Sequence, residues 1–263
     1  MILPGDSPGG GSRMLLCLLS YAGSSARQVF GSWQAELEPY ADVLLYELPG
    51  RGARSGERRL EQPADAVREV CQAIDACGRA RVGIIGHSLG GMLAYETAVT
   101  WEYLHGRELE FTIVSGACPP REGREAGLPL DDGSLLRSLR EWGATPGEVF
   151  ESEELLAWVL PMLRSDLTLG SRCGADLVPL TSRLIAVTGE SDPECPPEDL
   201  TAWKRAARGD FETYAAPGGH LYLNESAGRR FLIDRITQEI ALSDRRHDTA
   251  PADTCKAEKG SPC

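Results

Sequence analysis

Lysine is nearly missing from this chain. Of 27 cationic residues only Lys204, Lys256 and Lys259 are lysines and the rest are arginine, a skew that tracks genomic base composition rather than chemistry. Positive charge is also outnumbered: 39 acidic residues leave a formal net charge of −12. That balance excludes nonspecific nucleic-acid binding and adhesion to anionic membrane surfaces. Histidine is scarce, with four copies, none beside a cysteine cluster. The eight cysteines (Cys17, Cys71, Cys77, Cys118, Cys173, Cys195, Cys255 and Cys263) form no C-x-x-C pair, so neither a zinc site nor any other metal or cofactor site is expected. Several sit in apolar runs, where cysteine acts as a small hydrophobe. The expectation is a reducing, cytoplasmic setting with no disulfide framework. No apolar run reaches transmembrane length. Arg13 followed by Met14–Leu19 has the polarity of a signal peptide, but the run is too short and no A-x-A-like site follows it.

What is present is an alternation. Apolar, β-branched runs at Met14–Leu19, Asp42–Leu48, Val82–Ile85 and Leu109–Ser115 read as strands. Between them lie amphipathic stretches, Arg27–Glu38, Glu61–Cys77 and Ser88–His105, that read as helices. The alternation lapses after Pro119 and returns with strands Arg183–Thr188 and Asp210–Ala215 and helices Pro196–Ala207 and Asn224–Leu242. Alternating strands and helices predict a mostly parallel sheet with helices on both faces, an α/β fold. The lapse is too long for an ordinary crossover. Its Leu- and Trp-rich pieces, Ser134–Trp142 and Ser152–Leu163, predict an inserted helical lid over residues 121–175 of a domain spanning 13–242. The Gly/Pro-rich residues 1–12 and the polar residues 243–263 read as disordered tails.

One stretch carries chemistry. Gly86-His87-Ser88-Leu89-Gly90 is a G-x-S-x-G pattern between a strand and a helix. A turn that tight strains its central residue and lifts the Ser88 hydroxyl toward a substrate. A serine needs a base, and the base needs an orienting acid. His220 follows the last strand on the loop Pro217-Gly218-Gly219, which places it at the sheet edge where Ser88 lies. Asp192 follows the strand Arg183–Thr188 and gives the chain order Ser–Asp–His; Glu190 is its rival. His87 reads as structural, because neighbours on a sharp turn point apart, and His105 and His247 as solvated. The oxyanion of a tetrahedral intermediate needs backbone donors. Leu89, next after the serine, and Ala22, on the loop after the first strand, are the candidates.

The chain resembles the type II, or editing, thioesterases of polyketide and nonribosomal-peptide pathways, which are α/β-hydrolases. The likeness runs from about Leu16 to Leu223. It rests on Tyr21-Ala22-Gly23 with Trp33, Leu48-Pro49-Gly50-Arg51-Gly52 with Arg54, the G-x-S-x-G stretch with Tyr95 and Glu96, Leu160-Pro161-Met162-Leu163-Arg164-Ser165-Asp166, and Gly189–Asp192 with Gly218-Gly219-His220. It departs at Ser20 and Ser24, where such proteins usually have Pro and Gly, and at Leu221-Tyr222, where Phe-Phe is common. The resemblance implies Ser88, Asp192 and His220 as triad and Ala22 and Leu89 as oxyanion donors. It further implies a monomer that hydrolyses acyl thioesters on the phosphopantetheine arm of an acyl or peptidyl carrier protein. Two other readings remain: a hydrolase or acyltransferase acting on small esters, and a noncatalytic carrier-binding protein. Arg51, Arg54, Arg58 and Arg59 read either as a basic patch that docks the carrier or as a solvated loop.

Overall fold

The computed structural model describes residues 13–119, 130–143, 145–174 and 177–249. Residues 121–129, 144 and 175 of the expected lid, the whole expected N-terminal tail 1–12 and residues 250–263 of the C-terminal one lie outside these ranges. Six strands form one parallel sheet: β1 (Leu15–Leu19), β2 (Asp42–Tyr46), β3 (Val82–His87), β4 (Phe111–Ser115), β5 (Leu184–Gly189) and β6 (Phe211–Ala216). Their order across the sheet is β2-β1-β3-β4-β5-β6. The chain therefore starts inside the sheet, steps outward to β2, then crosses back over β1 to β3. Strand order reverses between β1 and β3, the point at whose carboxyl ends open α/β sheets hold their sites.

Both faces of the sheet are covered, which is why β1, β3, β4 and β5 are buried along their whole length. Leu15, Cys17 and Leu19 point to one face, toward α3 (Pro63–Ala76) and α4 (Leu89–His105). Met14, Leu16 and Leu18 point to the other, toward α1 (Ala26–Phe30), α2 (Gln34–Leu37) and α8 (Ser226–Thr249). Pro63 opens α3 at a position where a missing N–H costs nothing, and Gly78 follows its end with φ +63°.

Three elements differ from the sequence reading. The helix expected over Arg27–Glu38 is two short ones, because the chain turns between Phe30 and Trp33. The turn lets both aromatic rings, 5.0 Å apart and edge to face, reach the same core. The last helix does not stop at Leu242 but continues to Thr249. Ser243, read as the start of a solvated tail, is buried, and Arg81 donates to its hydroxyl at 2.7 Å while the hydroxyl bonds Glu110. His247 also reaches Glu110, at 2.8 Å, and His105 packs on Trp101 with ring centroids 4.0 Å apart.

The described residues between β4 and β5 hold three helices, α5 (Asp132–Trp142), α6 (Gly147–Glu151) and α7 (Glu153–Ser171). Leu135 and Leu139 of α5 pack against Leu160 and Leu163 of α7 in a core of their own. Helix α7 runs through Pro161 and eight residues past Leu163, where the sequence pattern ended it. An internal proline costs a helix about 3 kcal/mol. Burial of Leu160, Leu163 and Leu169 offsets it, each such side chain contributing roughly 1.5–3 kcal/mol. Among the described residues no helix is long and apolar enough to cross a membrane.

Candidate active site

Ser88 stands between β3 and α4 with φ 53° and ψ −116°. Among the described residues it is the one non-glycine with a positive φ. Such a conformation costs of order 1–3 kcal/mol and persists only where the surroundings enforce it. Here the glycines do so. A Cβ on Gly86 would lie 1.8 Å from the Gly90 carbonyl oxygen, and one on Gly90 would lie 2.3 Å from that of Leu19. The Ser88 N–H is spent on the Ser115 carbonyl of β4 at 2.7 Å, which fixes the turn against the neighbouring strand.

His220 reaches Ser88 from the loop after β6. Its Nε2 lies 3.2 Å from Ser88 Oγ and its Nδ1 2.9 Å from Asp192 Oδ2. The loop follows Gly218 at φ +116° and packs on Gly189, where a Cβ would lie 2.2 Å from the Gly219 carbonyl oxygen. Asp192 is 2 % exposed yet well satisfied. The Thr188 hydroxyl donates to its Oδ2 at 2.8 Å, and the N–H groups of Glu194 and Cys195 donate to its Oδ1 at 2.9 and 3.1 Å. Burial alone would raise its pKa. The His220 hydrogen bond and charge, with the Thr188 and Cys195 donors, outweigh that and hold the carboxyl below its ordinary range. Glu190, its rival, is exposed and offers its N–H to Ala216.

His87 is buried behind His220, its ring centroid 5.3 Å away. Its Nδ1 bonds Ser115 Oγ at 2.8 Å, and that oxygen also meets the Tyr222 hydroxyl. Burial first, then the nearby His220, pushes the His87 pKa well below 6.5, so this imidazole stays neutral.

Leu89 directly follows the serine, and Ala22 packs against the apolar core that contains Leu89. Leu89 is the first residue of α4, so its N–H has no acceptor within the helix and sits at the positive end of the helix dipole. Ala22 opens a turn in which the Ser24 hydroxyl and N–H both donate to the Tyr21 carbonyl, at 2.6 and 3.3 Å. The unusual Ser24 thus closes its own loop and does not enter the site. A serine, a base in hydrogen-bond reach, a carboxylate on the base's other nitrogen and two backbone donors can together carry out acyl transfer. The sequence pattern described as Thioesterase domain matches residues 15–240. The chain belongs to that family.

The thioesterase is 34% identical over 221 residues to Thioesterase PikA5 of Streptomyces venezuelae, covering 83% of this chain and 78% of that one. Its fold is similar to the type II thioesterase BorB of the borrelidin biosynthetic cluster, at TM-score 0.77 and 30% identity over 89% of this chain and 95% of that one. It also matches RedJ, a thioesterase from the prodiginine pathway in Streptomyces coelicolor, at TM-score 0.78 and 28% identity over 90% and 96%. The thioesterase is thus a hydrolase of thioesters with an α/β-hydrolase fold.

One expectation fails at this site, the absence of disulfides: Cys118 and Cys195 are bonded, with Cα atoms 5.4 Å apart. They lie 77 residues apart in sequence, just beyond the ends of the adjacent strands β4 and β5, so only the strand order brings them together. The bond anchors the loop that carries Asp192. Cys17, Cys71, Cys77 and Cys173 are free thiols. The four arginines, read as either a docking patch or a solvated loop, fit neither description as a group. Arg51 is buried at 5 % exposure and ion-paired to Asp166; Arg54 pairs with Glu57 and Glu69; Arg59 lies half-buried along Gly50. Of the four, Arg58 is the exposed one. The Arg51–Asp166 contact was not visible in the sequence, although both segments stood out there. Its one signal is a charged residue in each of two otherwise well-packed stretches.

Proposed function

We propose that this thioesterase hydrolyses acyl groups from the phosphopantetheine arm of acyl or peptidyl carrier proteins, clearing mis-acylated carriers in polyketide or nonribosomal-peptide synthesis. The hydrogen-bonded chain Ser88–His220–Asp192 carries the reading. The printed descriptions of BorB and RedJ, from the borrelidin cluster and the prodiginine pathway, support the setting. Ser88 Oγ attacks the thioester carbonyl carbon as His220 Nε2 takes its proton. The N–H groups of Ala22 and Leu89 stabilise the oxyanion. The C–S bond breaks, and His220 returns the proton to the departing thiolate. His220 then deprotonates a water that attacks the acyl-serine carbonyl; the acyl C–Oγ bond breaks, His220 returns the proton to Ser88 Oγ, and the acid leaves. Asp192 keeps the proton on Nδ1 and stabilises the imidazolium without taking the proton.

Residues 121–175 act as a lid within the 13–242 domain, and α7 forms its inner wall. No cofactor takes part, and the enzyme works as a cytoplasmic monomer. In that compartment the Cys118–Cys195 bond faces thiol reductants.

The test is release of acid from acetyl- or propionyl-loaded carrier protein, compared with simple esters. Ser88→Ala should lower kcat by on the order of 10³-fold or more. Full activity in that variant would overturn the mechanism, and a large preference for simple esters would overturn the substrate.

A further inference from the structure

We propose that Arg51 and Asp166 form a positioning clamp that sets the oxyanion loop and ties it to helix α7. The inference rests on Ser88 as nucleophile and Ala22 as an oxyanion donor. Asp166, on α7, is 1 % exposed, and Arg51, on the loop after β2, grips both of its oxygens. The same pair holds two successive backbone groups of the loop after β1. Gly23 N–H donates to Asp166 Oδ2 at 2.7 Å, and Arg51 Nη1 donates to the Ser24 carbonyl at 3.1 Å.

Those contacts define the loop's geometry. Tyr21 to Ser24 is a tight turn with Gly23 at φ +76°, the third position of a type II turn. The Ala22–Gly23 peptide is the one that turns over between type I and type II. A carboxylate beside it accepts the Gly23 N–H and repels the Ala22 carbonyl, so one orientation is selected. Arg51 holds Ser24, and Ser24 in turn holds the Tyr21 carbonyl. Because the peptide is planar and trans, the Ala22 N–H points opposite to that carbonyl. The direction of the proposed donor is thereby set from Arg51 and Asp166, two bonds away from the reacting atoms.

Helix α7 touches the other donor as well. Leu163 lies beside Gly23, and Gly170 lies beside Leu89, at 3.3 and 3.4 Å from where each glycine's Cβ would be. The lid's inner helix therefore braces both halves of the oxyanion site. Ser165 and Arg172 fix the same helix to the carbonyls of Leu60 and Glu61. A buried ion pair is by itself weak evidence for stability, since well-packed apolar residues often do as well. Here, among the described residues, the side-chain hydrogen bonds of Arg51 and Asp166 beyond the pair itself go to the oxyanion loop.

The test separates stability from turnover. Asp166→Asn, Arg51→Lys and the double variant Arg51→Met/Asp166→Leu are assayed on acetyl-loaded carrier protein, beside wild type and Ser88→Ala. Affinity for an alkyl trifluoromethyl ketone is measured in parallel. Its carbonyl carbon bonds Ser88 Oγ, the proton passes to His220, and its oxygen becomes an oxyanion in the same site. Loss of a whole oxyanion donor costs about 10²–10³ in kcat, so a misaimed one should cost roughly 10–100-fold, with KM little changed and the ketone weakened in step. The double variant removes both buried charges. It should melt close to wild type yet stay slow, since nothing accepts the Gly23 N–H. If the double variant regains turnover along with its melting temperature, the pair is structural and the proposal falls. Arg51→Lys keeps the charge but loses the fork, and it should show the same loss of kcat; wild-type turnover in it also overturns the clamp. Ser88→Ala reports on the nucleophile separately: if it remains active, the catalytic reading fails. If it is dead while the clamp variants run at full speed, only the clamp fails.

Discussion

His87 shows how a residue beside the nucleophile can matter without touching the substrate. It is buried, bonded to Ser115 and held neutral. In the unfolded chain the same imidazole takes up a proton near its ordinary value of 6.5. Its folded pKa is lowered, so the stabilisation is fully present above 6.5 and is lost as pH falls below that value, where the unfolded state binds a proton the native state refuses. One such group gives a slope of about 1.4 kcal/mol per pH unit. Urea unfolding from pH 8 to pH 5 on wild type and His87→Gln checks this. The wild type should lose stability below 6.5 more steeply than the variant, and parallel curves would remove the explanation. At this scale the sequence was most legible where chemistry and local conformation coincide. Gly86 and Gly90 flank Ser88 because no other residue fits there, so the pattern itself reveals the turn. His220 and Asp192 were legible because each follows a readable strand. Arg51 and Asp166 were not, because 115 residues separate them and neither has a local reason to be charged.

Among the elements, the loop after β5 is the most constrained. The hydroxyl of Thr188, the next-to-last residue of β5, lies 2.8 Å from both Asp192 Oδ2 and the Cys195 carbonyl oxygen and shares its one proton between them, and the Cys195 N–H holds Asp192 from the other side. The Cys118–Cys195 bond fastens this loop to the end of β4. A bond closing a loop of this length stabilises by about 2–4 kcal/mol. Cys118→Ser should lower the melting temperature accordingly and reduce kcat several-fold, because the acid's support loosens. Mass spectrometry after alkylation of the native protein supplies the check, and free thiols at both positions would show the bond is not made. The sequence could not reveal it, since Cys118 and Cys195 meet only through the pairing of β4 with β5. Helix α7 escaped for a related reason. Pro161 and Gly170 argue locally against a long helix, and tertiary packing overrides them. Helix α8 looked polar from Ser243 onward because its half-buried partners, Arg81 and Glu110, lie far away in sequence, just before β3 and β4.

On the scale of the whole molecule, the parallel sheet is the frame and the strand alternation announced it. The surface electrostatics were less legible. The arginines after β2 read as either a cationic patch or a solvated loop, but two of them are engaged in ion pairs and one lies along the backbone. Net charge is a property of composition, whereas a docking surface depends on which charges remain unpaired after folding.

The strand order also orders events in time. The nucleophile hangs from β3, the acid from β5 and the base from β6, the last of which pairs only with β5 at the sheet's edge. The reactive group can therefore assemble no sooner than the far margin of the sheet docks. Refolding followed by fluorescence of Trp33, which shares a core with Leu16 and Leu18 of β1, in a variant whose other four tryptophans are phenylalanine, should report burial before thioester hydrolysis returns. Enzymatic activity in this chain is a clock for the final step of folding, and simultaneous recovery of both signals would mean the sheet closes in a single event.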